Sequence, residues 1–238
     1  MMMPEFANLS NFFTLRDALA AGFLLLSWAV SGYLIEHAPK HRPSMHMLMQ
    51  SYRLSWMQEM CRRDVRIFDT NILSTLRQGP SFFGSACMIA IGGGLALLGQ
   101  TDRLVSVAQD LNVEGASLRV VWEAKILLVI VILASAFLKF VWSHRLFGYC
   151  AVVMASVPNL DGGGVTEDMN EIARKAGYLN IYAARSFNRG LRAVYFALAG
   201  LSWLLGPEAL VIATVFTLFT LYRREFNSQS RAVVLARR

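Results

Sequence analysis

The stretch LRAVYFALAGLSWLLGPEALVIATVFTLFTLY, residues 191–222, decides the fold. Apart from Arg192 and Glu208 it carries no charge, and read as helix it is too long for one untilted passage through a hydrocarbon core, which takes about 20 residues. Gly206 and Pro207 divide it near its middle. Proline is tolerated in the first turn of a helix, and an acidic neighbour suits the positive end of the helix dipole, so Pro207 and Glu208 read as a start signal. The stretch therefore reads as two spans, about 191–205 and 208–222, joined by a tight turn.

Three further apolar runs lie upstream. One covers about 118–140 and is interrupted only near its start, by Arg119, Glu123 and Lys125; its helical pattern continues toward Val157 through His144 and Arg145. Another follows Pro80, about 81–98, and carries Ala86, Ala90 and Gly94 four residues apart, a spacing that lets helix backbones approach closely in lipid. The first, about 18–35, lacks a basic start and a small-x-small cleavage site, so it reads as a retained helix rather than a removed signal. Two amphipathic segments fill the gaps. Residues 44–77 contain no Gly or Pro, and Met45, Leu48, Tyr52, Trp56, Met60, Val65, Phe68, Ile72 and Leu76 recur at helical steps. Residues 166–189 follow an Asp161–Gly164 turn, with Thr166 as N-cap, Glu167 and Asp168 in the first turn, and Met169, Ile172, Ala176, Leu179, Ala183 and Phe187 along one face. The expectation is one all-α membrane domain over 1–238, with five transmembrane helices and two long amphipathic cytoplasmic helices.

Composition agrees. The 238 residues are 55% hydrophobic and only 16% charged, against about a quarter in ordinary globular chains. A net charge of +7 invites a nucleic-acid reading, but the basic residues alternate with apolar runs instead of forming a face, which excludes it. Cys61, Cys87 and Cys150 fall in different segments with no metal-ligand spacing, so they read as buried thiols, and no metal site is expected.

Charge also orients the chain. Lysine and arginine are retained on the cytoplasmic side, so five spans require a basic first loop, third loop and C-terminus. The first loop holds Lys40, Arg42, Arg53, Arg62, Arg63, Arg66 and Arg77. The third holds Lys139, Arg145, Arg174, Lys175, Arg185, Arg189 and Arg192, and the tail holds Arg223, Arg224, Arg231, Arg237 and Arg238. Of 23 basic residues this leaves only Arg16, Arg103, Arg119 and Lys125 outside. A single helix over 191–222 would place the arginine-rich tail outside, so the two-span division stands. The expected location is a bacterial inner membrane, with the N-terminus outside and the C-terminus cytoplasmic.

Several phrases carry a family resemblance: HRPSM at His41–Met45, RIFDTNIL at Arg66–Leu73, FVWSHRLFGY at Phe140–Tyr149, FNRGLRAVYFALAGLSWLLGP at Phe187–Pro207 and YRREF at Tyr222–Phe226. Together they resemble the bacterial membrane family filed under domain of unknown function 599. The resemblance implies a multi-pass membrane protein and no assigned activity, so it brings no catalytic residue with it.

The candidate site residues are therefore read from chemistry alone. Gly92–Gly94 lacks the Lys-Ser/Thr of a phosphate loop and reads as helix packing. His37 and His144, each near the cytoplasmic end of a span, admit two axial haem ligands, but interfacial histidines are common and a hydrogen-bonded structural role is the favoured reading. Glu123 pairs most simply with Arg119 one turn away, and Lys125 then snorkels outward. Arg62, Arg63, Arg66, Arg185, Arg189 and Arg192 read as a cytoplasmic cluster for anionic lipid headgroups or an acidic partner. No cofactor is expected. The leading functional expectation is a non-enzymatic accessory, scaffold or assembly component of a membrane complex, with a partner protein or a second copy of the chain. The alternative is a small transporter or channel subunit. A lipid-headgroup enzyme using Asp64 and Asp69 comes third.

Overall fold

A computed structural model describes residues 14–103, 106, 119–160, 162 and 164–236, and all regular structure among them is helical. The helices are α1 (Leu15–Glu36), α2 (Met45–Cys61), α3 (Ile67–Leu98), α4 (Arg119–Ala155), α5 (Glu167–Leu201), α6 (Pro207–Phe226) and α7 (Gln229–Leu235), with a 3₁₀ turn at Ser202–Leu205 between α5 and α6. Three of them, α1, α3 and α4, are long and apolar enough to cross a membrane, with mean hydropathy of 1.8, 1.8 and 2.5. Only 22%, 11% and 39% of their apolar stretches are buried within the protein, so most of that surface faces away from it.

The expected helix over 44–77 is two helices. α2 stops at Cys61, where the Arg62 backbone N–H turns back to the carbonyls of Glu59 and Met60, and α3 begins only at Ile67. The corner is held by Trp56, one of the recurring apolar positions, together with Arg63, Arg66 and Asp69. Trp56 Nε1 donates to Asp69 Oδ1 at 2.7 Å, and Arg63 pairs with the same oxygen. Arg66 donates through Nη1 and Nη2 to the carbonyls of Val157 and Pro158, at 2.5 and 2.6 Å, satisfying backbone just past the end of α4. No glycine or proline marks this corner, which is why periodicity runs straight through it.

Two other expected boundaries are absent. α3 continues through a buried Pro80 instead of starting after it, and α5 runs unbroken through the expected junction near residue 190. The division at Gly206 and Pro207 is present: Gly206 has φ +126°, open to glycine, and Pro207 opens α6. Thr166 caps α5 by accepting from Met169 N at 3.3 Å, after Gly162 and Gly164, both at φ +78°. Asp161 and Gly163, together with Asp110, Glu114 and Leu118 of the segment before α4, lie outside the described residues.

Two compact units share these helices: unit 1 takes residues 1–33, 87–135 and 192–222, and unit 2 takes 34–86, 136–191 and 223–238. In unit 1, Asp17, Ala20, Leu24 and Ser27 form the buried stripe of α1, while Leu19, Phe23, Leu26 and Val30 are exposed. Gly200 of α5 brings its backbone against Val129 and Leu24, and Gly94 of α3 lies against Ile130. Unit 2 has its own core, in which Met57, Met60, Leu73, Phe147, Cys150 and Met154 pack against Met169, Ala173 and Ala176. The small residues of α5 set that packing. A Cβ on Gly177 would meet the Leu54 side chain at 2.8 Å, and one on Gly190 would meet the Phe140 ring at 2.7 Å. Phe83, Phe140 and Phe187 cluster beside them, with ring centroids 5.6–5.9 Å apart.

Candidate functional site

Unit 1 buries a charge pair. Thr14 opens α1: its hydroxyl accepts from Asp17 N at 3.1 Å and donates to Asp17 Oδ2 at 2.7 Å, an arrangement that satisfies an otherwise open N–H of the first turn. The other carboxylate oxygen, Oδ1, accepts from Trp203 Nε1 at 2.8 Å, on the 3₁₀ turn that follows α5. Lys125 of α4 places Nζ 4.0 Å from that same oxygen, and its ammonium lies 5.6 Å from the Trp203 ring centroid and 5.9 Å from that of Trp122. Asp17 and Lys125 are 8% and 7% exposed. A desolvated ammonium is costly unless compensated, and here a carboxylate and two indole faces compensate it.

This corrects the expected outward snorkelling of Lys125: a lysine reaches for water only where no internal partner is nearer. Glu123 behaves as expected, accepting from Arg119 Nε at 2.6 Å, while Arg119 also pairs with Asp102 at 3.2 Å. Sequence reasoning passed over Asp17, Trp122 and Trp203. The available signal lay in the expected topology, since five spans would put Asp17, Lys125 and the turn at residue 206 on one side.

The six arginines expected to face a lipid or partner have mostly internal work. Arg63 and Arg66 close the α2–α3 corner, and Arg189 holds Glu36 with two hydrogen bonds of 2.8 and 2.5 Å. That carboxylate raises the pKa of Arg189 further above its usual value. Arg192, at 4% exposure, presents no cation to a docking surface. Arg185 lies over the Tyr182 ring at 5.5 Å, and Arg62 remains exposed beside Glu59. The physical reason is general: half-buried guanidinium groups collect carbonyls and carboxylates before they can serve an outside ligand.

The other candidates are placed as follows. Gly94 packs against Ile130, but Ala86 and Ala90 are exposed, so the close-approach surface within the chain lies on α5 and not along those two alanines of α3. His37 is exposed past the end of α1, and His144 is half-buried with Nε2 3.4 Å from Arg77 Nη2, a cationic neighbour ill suited to an iron ligand. Asp69 has no exposed surface and spends Oδ1 on Trp56 and Arg63, while Asp64 is exposed, so the two do not make a metal pair. Among the described residues no three His, Cys, Asp or Glu side chains gather as a metal site. All three cysteines are buried thiols. Cys150 Sγ donates to the Ala176 carbonyl at 3.3 Å and accepts from Asn180 Nδ2 at 3.8 Å, and Arg53 donates to Asn180 Oδ1. Burial lowers the Arg53 pKa from its ordinary value.

The class is thus an all-helical protein with three helices of membrane-spanning length and apolarity. The sequence model of the family described as "Protein of unknown function, DUF599" matches residues 19–230, and the chain belongs to that family. No curated protein and no solved structure matches it.

Proposed function

We propose that the chain is a multi-pass inner-membrane protein, with five spans and the N-terminus outside, that works as a non-enzymatic scaffold or assembly component. Unit 1 holds the body of the spans, and unit 2, apart from the span ends at 81–86 and 136–140, is a cytoplasmic helical module that docks a partner protein. The observation that carries this reading is the division of charge between two separately packed units. Unit 2 holds 18 of the 23 lysines and arginines, together with its own core. Its surface also carries aromatic side chains beside arginines. Arg145 donates to the Tyr149 hydroxyl at 2.9 Å on α4, and Tyr178 stacks on Tyr182 beside Arg185 on α5. Tyrosine and arginine are enriched at the centres of protein interfaces.

The test is photocrosslinking in native membranes with a light-activated residue at Tyr149 or Tyr178. A discrete heteromeric adduct supports the scaffold, whereas uncrosslinked monomer alone, after mild extraction as well, sinks it. The buried Asp17–Lys125 pair favours a second reading, a transporter or channel subunit, because ionisable groups inside a span mark pathways. Solute flux in vesicles that is lost with Lys125→Met supports it; absence of flux with the wild-type protein ends it.

A further inference from the structure

Arg77 on α3 and His144 on α4 face each other with no acid between them. Arg77 Nη2 lies 3.4 Å from His144 Nε2. A guanidinium only donates, so Nε2 accepts and the imidazole proton sits on Nδ1. That leaves two shielded donors without an acceptor, Arg77 Nε and His144 Nδ1. Among the described residues no carboxylate lies within ion-pair distance of Arg77, in contrast to Arg63 and Arg189. His144 Nε2 answers one guanidinium N–H but carries no negative charge, so Arg77 has no counter-ion among the described residues, and an oxyanion at the partly exposed guanidinium supplies one.

We propose that this pair binds the phosphate of an anionic membrane lipid, an inference that rests on the membrane reading above. Its position selects a lipid over a free anion. Span two begins at about residue 81 and span three ends at about 140, so both side chains fall just beyond the hydrocarbon on the cytoplasmic side, where lipid phosphates lie. One turn toward the apolar end of each helix, Ser81 and Val141 are exposed, and Leu138 beyond is 65% exposed, giving polar cover for a headgroup and apolar surface for an acyl chain. Trp142, half exposed on the same helix, lies at the depth where indoles favour the interface.

The site is tested with the full chain in detergent, by native mass spectrometry against phosphatidylglycerol or phosphatidylcholine, and with inorganic phosphate as competitor. Wild type should retain phosphatidylglycerol in preference, with phosphate competing weakly. Arg77→Gln should lower that retention about fivefold, and Arg77→Lys should keep most of it. Arg174→Gln, at an exposed position on α5, should leave it unchanged. Circular dichroism shows whether each variant keeps its helices. If Arg77→Gln and His144→Gln fold and retain the lipid as wild type does, or if phosphate displaces it fully, the lipid site is refuted. Failure of the wild-type protein to stay with alkaline-washed membranes would instead refute the membrane reading.

Discussion

Lys125 stands about a turn and a half into α4 and is held by Asp17, Trp122 and Trp203. Removing one member of a buried pair strands the other, at a cost of about 3 kcal/mol or more. Lys125→Met leaves Asp17 with only Thr14 and Trp203, and Asp17→Asn leaves the ammonium with indole faces alone. The double variant Asp17→Asn/Lys125→Met should therefore be less destabilised than the sum of the two, by at least about 1 kcal/mol in reversible unfolding in mixed micelles. Strict additivity would show that the pair does not interact. The neighbouring Arg119–Glu123 pair was legible in the sequence because its partners are four residues apart on one helix. The Asp17–Lys125–Trp203 contact joins residues more than 70 positions apart, and no local spacing reports that.

Elements repeat the pattern. Helical periodicity assigned residues of every described helix except the short α7 to helix, but it merged α2 with the start of α3 and divided α3 and α5; the Gly206–Pro207 division was read correctly from backbone chemistry. The α2–α3 corner escaped because arginine side chains and an aspartate hold it, with no glycine or proline to mark it. Close packing on α5 escaped as well, since alanines and glycines spread along an amphipathic helix read as a weak apolar face. Gly190→Ala tests that packing: the new methyl group meets the Phe140 ring and should cost about 1–3 kcal/mol. Phe140→Leu in the same chain should recover part of the loss. By contrast, Ala86→Leu should change stability by no more than about 0.5 kcal/mol, because Ala86 is exposed on α3. A larger loss in Ala86→Leu, measured by the same unfolding, would mean that another helix covers that face.

For the whole molecule the two units differ most in charge. Unit 1 contains only Arg16, Arg103, Arg119, Lys125 and Arg192 as lysine or arginine, and two of those five are buried. This asymmetry was legible in the sequence, as was membership in the family over residues 19–230. The site was less so, because most of the arginines that looked available from spacing are spent in the fold. Sidedness can be measured against a quiet background, since Cys61, Cys87 and Cys150 are all buried; burial also raises the Cys61 pKa, keeping its thiol in the less reactive protonated form. Single exposed cysteines are placed at Ser106 in unit 1 and at Asp64 and Ser230 in unit 2, and intact cells are labelled with a membrane-impermeant maleimide. Five spans with the N-terminus outside require Ser106→Cys to react in intact cells, and Asp64→Cys and Ser230→Cys to react only after permeabilisation. Labelling of Asp64→Cys or Ser230→Cys in intact cells, or of Ser106→Cys only after permeabilisation, would contradict that topology.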